Sequence, residues 1–243
     1  MKKITLLLLL STLFIGCVKK NEILPAKTSD NGLVAHYPLD GNANDMTRYF
    51  NHGVSSALPI EDKTNNPKKA LDFIKNEFQA SNIPINLKTN YTFSFWIKMN
   101  SYEDGMSVME LTKDKECGNN PQIWQYNDSL FLVPTTQSNN RIYIYSLKRM
   151  KFGAETPTWN HVLWTVNNDT TKMYVNNILV DTKSVIWPNF TNVDLTLGNA
   201  GNHCTGDNGV SNYHNQPSKV SIDEVRIYNR VLTETEIKKL SEW

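Results

Sequence analysis

The stretch Tyr91-Thr92-Phe93-Ser94-Phe95-Trp96-Ile97-Lys98-Met99 constrains the fold of this chain more than any other. Apolar residues occupy every second position, which is the side-chain repeat of an extended strand, so Tyr91, Phe93, Phe95, Ile97 and Met99 share one face. A strand with five large apolar side chains on one side needs a second apolar layer to cover them, which predicts packed sheets. The same period recurs in Ile142 and Ile144, set between Tyr143 and Tyr145. It recurs again in Val162, Trp164 and Val166, set between His161, Leu163 and Thr165. Both segments read as strands whose second face is also partly covered.

Between these runs lie loops rich in Asn, Gly, Asp and Ser, and short strands at such spacing predict an all-β sandwich. Met173-Tyr174-Val175 and Ile178-Leu179-Val180 flank Asn176-Asn177, and two Asn residues tolerate the positive φ angles of a tight hairpin turn. The helical signal comes at the end, where Thr233 and Glu236 fit a capping box ahead of Ile237 and Leu240. Near it the apolar phase slips, from Val220 and Ile222 to Val225 and Ile227, and the slip predicts a β-bulge at Asp223-Glu224. With 40% hydrophobic residues over 243 positions there is enough apolar material for one sizeable core.

The first residues have a different design. Met1-Lys2-Lys3, the apolar run Ile4 to Ile15 and then Gly16-Cys17 follow the order of an export signal, in a run too short to span a bilayer. Phe14-Ile15-Gly16-Cys17 resembles the bacterial lipobox, which implies cleavage before Cys17 and its lipidation, with Val18 favouring an outer-membrane or surface destination. The expected organisation is therefore a signal over residues 1–16, a lipidated Cys17 and polar tether over 17–31, and one domain over 32–243. Extended, residues 18–31 reach roughly 45–50 Å, enough to hold a domain clear of the head groups. Of the three cysteines, Cys117 and Cys204 then remain as an even pair in an oxidising compartment. One disulfide between them is expected, with two separate thiols as the other reading.

Four segments carry a family resemblance. They are Leu33 to Asp45 followed by Asn51-His52-Gly53, then Tyr91 to Lys98, Trp159-Asn160-His161-Val162, and Ile222-Asp223-Glu224-Val225-Arg226-Ile227-Tyr228-Asn229-Arg230-Val231-Leu232-Thr233. In this order and spacing the chain resembles the laminin-G-like, concanavalin A-like lectin domains. The resemblance implies a two-sheet antiparallel jelly-roll sandwich, to which the capping box adds a short C-terminal helix. It also implies calcium between the opening segment and the Asp of the closing strand, with Asp40, Asn42, Asp45 and Asp223 as ligands. The Asp40 to Asp45 stretch is rich in the oxygen ligands that Ca²⁺ prefers, although it lacks the Gly and Glu of an EF-hand loop. The competing reading has Asp40 and Asp45 bracing turns and Asp223 paired with Arg226 or Arg230.

A sugar is held by an aromatic face beside planar polar groups. Two segments have that composition: Cys117 to Tyr126, with Asn120, Gln122 and Trp124, and Gly201 to His214, with His203, Asp207 and Tyr213. A Cys117–Cys204 bridge would staple them together, with Tyr143 and Tyr145 as platform residues on a sheet. Trp96, Trp159 and Trp164 are expected in the core, and Trp187, on a connection, fits either the core or a ligand surface.

Several activities are excluded by pattern. A net charge of +1 without a basic stripe argues against nucleic acid as a partner. Glycoside hydrolases of this fold carry Glu-x-Asp on one strand, and no Glu here has Asp two residues later. The five His residues lack zinc-ligand spacing, and Gly105 to Met109 lacks the second Gly of a nucleophile elbow. The expected function is non-catalytic binding at the cell envelope, of a glycan first and of an envelope protein as the alternative.

Overall fold

The computed structural model describes residues 31–74, 76–100, 106–113, 120–126, 129–133, 150–151, 158–198, 216–217 and 219–242. The strands are β1 (Leu33–Tyr37), β2 (Val54–Ser55), β3 (Leu58–Ile60), β4 (Ala70–Asp72), β5 (Phe78–Asn86), β6 (Tyr91–Met99), β7 (Met106–Thr112) and β8 (Gln122–Tyr126). They continue with β9 (Ser129–Val133), β10 (Met150–Lys151), β11 (Trp159–Asn167), β12 (Thr170–Val175), β13 (Ile178–Ser184), β14 (Thr191–Leu197), β15 (Gln216–Pro217) and β16 (Val220–Tyr228). One helix, α1 (Glu234–Ser241), follows among the described residues.

Two sheets result. The first runs β13-β12-β11-β6-β16-β4-β3 with β1 on β16, and the second runs β10-β9-β8-β7-β14-β5-β2 with β15 on β7. The pairing of β15 with β7 is parallel, whereas the neighbours of the central strands β6 and β16 are antiparallel. Because β1 and β4 both pair with β16, the opening and closing segments of the chain share one sheet.

The inward faces build a single core. Phe93, Phe95 and Ile97 of β6, Trp164 of β11 and Ile222 and Val225 of β16 join Met109 and Leu111 of β7, Ile123 of β8 and Leu195 of β14. Phe93 lies flat on Trp164, with ring centroids 4.5 Å apart, and Phe95 meets the same indole edge-on. Each fully buried side chain of this size stabilises the fold by about 1.5–3 kcal/mol.

The first sheet is covered on its other face too. α1 lays Ile237 and Leu240 against Leu163, Tyr174 and Tyr228, and Leu232 completes this second cluster. Its start is fixed by the expected capping box: Thr233 accepts from the Glu236 amide, and the Glu236 side chain accepts from the Thr233 amide.

Parity decides the tryptophans. Trp164 is in the core, and so is Trp187, whose Nε1 donates to Thr171 Oγ1 at 2.9 Å. Trp96 alternates with Phe95 and Ile97, so it faces away from the core, buried under Lys63 on the outer face. Trp159 is half-exposed, with the Lys98 ammonium 5.2 Å from its ring centre. The core assignment of Trp96 and Trp159 is thereby corrected: where a strand runs without a bulge, adjacent side chains point to opposite faces.

Candidate functional site

A bulge creates the site. Between Ser107 and Met109 the register of β7 against β8 shifts, so Val108 and Met109 both turn into the core. Without that extra residue Glu110 would face the core; with it, Glu110 lies on the outer face of the second sheet, opposite Gln122 of β8 and Thr196 of β14. Glu110 is 0% exposed. Its Oε1 accepts two amide donors, Asn120 Nδ2 at 2.9 Å and Gln122 Nε2 at 2.8 Å. Bonds of this kind to a carboxylate are the stronger class of hydrogen bond and fix both amides. Gln122 in turn offers its Oε1 to the Trp124 indole N–H.

The result is an oriented aromatic surface. Trp124 stands directly across from Phe131 of β9, and both side chains are partly exposed, so two rings share one patch beside a fixed amide. Asn120, by contrast, is buried beneath as part of the support. Of the residues expected to bind a ligand, the fold thus gathers Asn120, Gln122 and Trp124 at one place. Tyr143, Tyr145, His203, Asp207 and Tyr213, together with Cys17, Cys117 and Cys204, lie outside the described residues.

A cleft of about 290 Å³ lies elsewhere, between the first sheet and the start of α1, lined by Thr165, Lys172, Tyr174, Leu232 and Glu234 among others. Its aromatic residue, Tyr174, is only 7% exposed and offers no open ring face.

A family model described as the concanavalin A-like lectin/glucanases superfamily (Laminin_G_3) matches residues 75–238, more than half of the chain. The chain belongs to this family. No curated protein matches the sequence. Among solved structures, the lectin-like domain is similar to domain 4 of AbnA, a GH43 extracellular arabinanase from Geobacillus stearothermophilus in complex with arabinotriose. The TM-score is 0.57 at 18% identity, over 86% of this chain and 98% of that one. It is also similar to the binding domain of botulinum neurotoxin DC in complex with SialylT, with a TM-score of 0.62 at 13% identity over 88% of this chain and 52% of that one. The same toxin domain in complex with rat synaptotagmin II gives 0.62 at 14% identity, over 89% and 52%. The chain therefore spans about half the length of the toxin domains, and at these identities the likeness is one of fold.

Of the residues expected around calcium, Asp40, Asn42 and Asp45 lie in the segment between β1 and β2 of this lectin-like domain and Asp223 lies on β16. Asp45 is a turn brace. Its Oδ1 accepts from the amides of His36 and Thr47, and its Oδ2 from Thr47 Oγ1 and the Asn51 amide. Those four donors use the roughly four lone-pair sites of a carboxylate, leaving none for a cation. Asn42 Oδ1 accepts from the Asn44 amide, and Asp40 Oδ2 holds Lys69 Nζ at 2.6 Å. Among the described residues no three of His, Cys, Asp and Glu converge as a metal-holding group.

Asp223 is buried beside Trp96, its register partner, and burial with the adjacent Glu224 carboxylate pushes its carboxyl up to about 8. Neither arginine pairs with it: Arg226 is 2.6 Å from Glu224 and Arg230 is 2.6 Å from Glu236. The expected bulge is there, with Glu224 at φ 52, and it turns Glu224 toward His36 at 2.8 Å. His161 sits next to Trp96 and shares a 2.8 Å hydrogen bond with Ser94, and burial, with Arg226 and Lys63 adding, pushes its imidazole down to about 3.

Two members of the site on the second sheet escaped sequence reasoning. Glu110 had a signal, since Val108-Met109 followed by Leu111 breaks the two-residue period as a bulge does. Phe131 had none, because its place opposite Trp124 depends on the register of β8 with β9.

Proposed function

We propose that this chain is a non-catalytic binding module whose ligand is a glycan, seated on the outer face of the second sheet against Trp124 and Phe131. The observation that carries the reading is the partly exposed ring pair, of which Trp124 is held in place through Gln122 and Glu110. An aromatic face held in advance costs little ordering on binding, and stacking against sugar C–H groups asks for such a face. Gln122 supplies a planar polar group at the rim.

Two of the similar folds support the ligand class, one captured with arabinotriose and one with SialylT. The non-catalytic part rests on the missing Glu-x-Asp pattern and on Glu110, which is buried and engaged by two amides as an anchor of the site. A lipid on Cys17 would hold the module at the outer membrane or cell surface. A Cys117–Cys204 bridge would bring His203, Asp207 and Tyr213 toward the Asn120 end of the site.

Calorimetric titration of the mature chain in detergent against a panel of arabinan, sialylated and other glycans tests the reading. The expected result is saturable heat for one glycan class, weakened at least tenfold by Trp124→Ala, a loss of about 1.4 kcal/mol. No heat with any glycan would overturn it and direct attention to a protein partner, the kind of ligand that the synaptotagmin complex of the toxin domain shows.

A further inference from the structure

The loop between β3 and β4 brings two lysines into the corner where the family resemblance sets calcium. Lys69 Nζ meets Asp40 Oδ2 at 2.6 Å. Lys63 Nζ lies 3.6 Å above the centre of the Trp96 ring, and Trp96 is the register partner of Asp223 on β16. An ammonium over an indole face is held there by the ring quadrupole, with a gain that rises as water is excluded. Lys63 feels the charges of Asp223, Glu224 and Asp62, and Lys69 those of Asp40, Asp62 and Asp223. Both lysines therefore sit in the field of the same acidic corner.

Asp223 keeps one buried carboxyl oxygen without a hydrogen-bond partner, and the other acids there have protein partners. Asp62 accepts from the amides of Thr64 and Asn66 and from both of their side chains. Glu224 takes Arg226 and His36. Asp45 takes four donors, as described above, and Asp40 takes Lys69. A calcium ion seeks six to eight oxygens, and here it would have to displace these donors and come close to two ammonium groups.

We propose that the β3–β4 loop supplies the cation of this corner from the chain itself, Lys69 on Asp40 and Lys63 over Trp96 beside Asp223, and that the domain keeps its fold without calcium. The tethered ammonium groups tie the β3–β4 loop to the opening segment at Asp40 and to β6 at Trp96. An ion carried covalently is present at every calcium concentration.

Thermal melting of the mature chain in excess chelator and in millimolar calcium is the test, with calorimetric titration of calcium chloride alone beside it. The midpoints should agree within about 1 °C, and no saturable heat should appear; a fold-bracing ion at 100 times its dissociation constant would instead shift the midpoint by roughly 5 °C or more. The double variant Lys63→Met, Lys69→Met keeps the apolar stems but removes both charges. It should melt lower than the parent and recover part of the loss in calcium. A chelator-dependent drop or saturable calcium heat in the unaltered chain would overturn the proposal. So would a double variant that melts like the parent and ignores calcium. The chelator measurement stands even if the variant does not fold.

Discussion

His161 shows how one buried side chain sets a pH response. Its neutral ring lies under Trp96 and against Ser94, with an imidazole pushed down to about 3 mainly by burial. In the unfolded chain the same group titrates near 6.5. Between those values the unfolded chain binds a proton that the folded chain refuses, so stability falls as the pH drops from about 6.5 toward 3. His161→Gln should cost about 1 kcal/mol at pH 8, where the ring is neutral in both states. It should also remove this slope, so that the gap between variant and parent closes in acid and then reverses sign. Denaturant midpoints at pH 8, 6 and 4 check this; a constant gap would contradict it.

At the level of elements, the caps and turns were written locally. Asn176 and Asn177 take φ values of 49 and 66 in the β12–β13 hairpin, as the Asn pair led one to expect. The capping box at Thr233 and Glu236 formed where the pattern placed it, because both ends of the box lie within one turn of chain. The structure adds Arg230, whose guanidinium holds both oxygens of Glu236. That partner, with the Thr233 amide and hydroxyl, pulls the Glu236 carboxyl down to about 2. A depressed carboxylate adds stability above its unfolded pKa near 4.3, and that stability is lost as the pH falls through about 2. Glu236→Gln should therefore lower stability by about 1 kcal/mol at pH 7 and by almost nothing at pH 2, read from thermal melts of the two proteins.

The whole molecule depends on β16. It pairs with β6, β1 and β4, so strands from both ends of the chain meet at one place. The family match begins at residue 75, after β1 to β4. A fragment of residues 75–243 would leave the β1 and β4 edges of β16 unpaired and uncover Val225 and Ile227 of the core. Unpaired buried backbone groups are costly, so by circular dichroism this fragment should lack the cooperative melt expected of residues 32–243. A cooperative transition in the fragment would instead show that the opening strands are dispensable.

The sequence by itself determined the all-β class, the strand faces at β6 and β11, the Asn hairpin, the terminal helix and the bulge at Asp223-Glu224. All of these are set by neighbours a few residues apart, where side-chain parity and capping act directly. It also marked Asn120, Gln122 and Trp124 as one segment of interest. Only the tertiary structure decided that Glu110 anchors them, that Phe131 faces Trp124, and that Lys63 and Lys69 meet Trp96 and Asp40. These are pairings across strands and loops remote in sequence. Their partners follow from register and sheet order, which depend on the packing of the whole core and not on any local pattern.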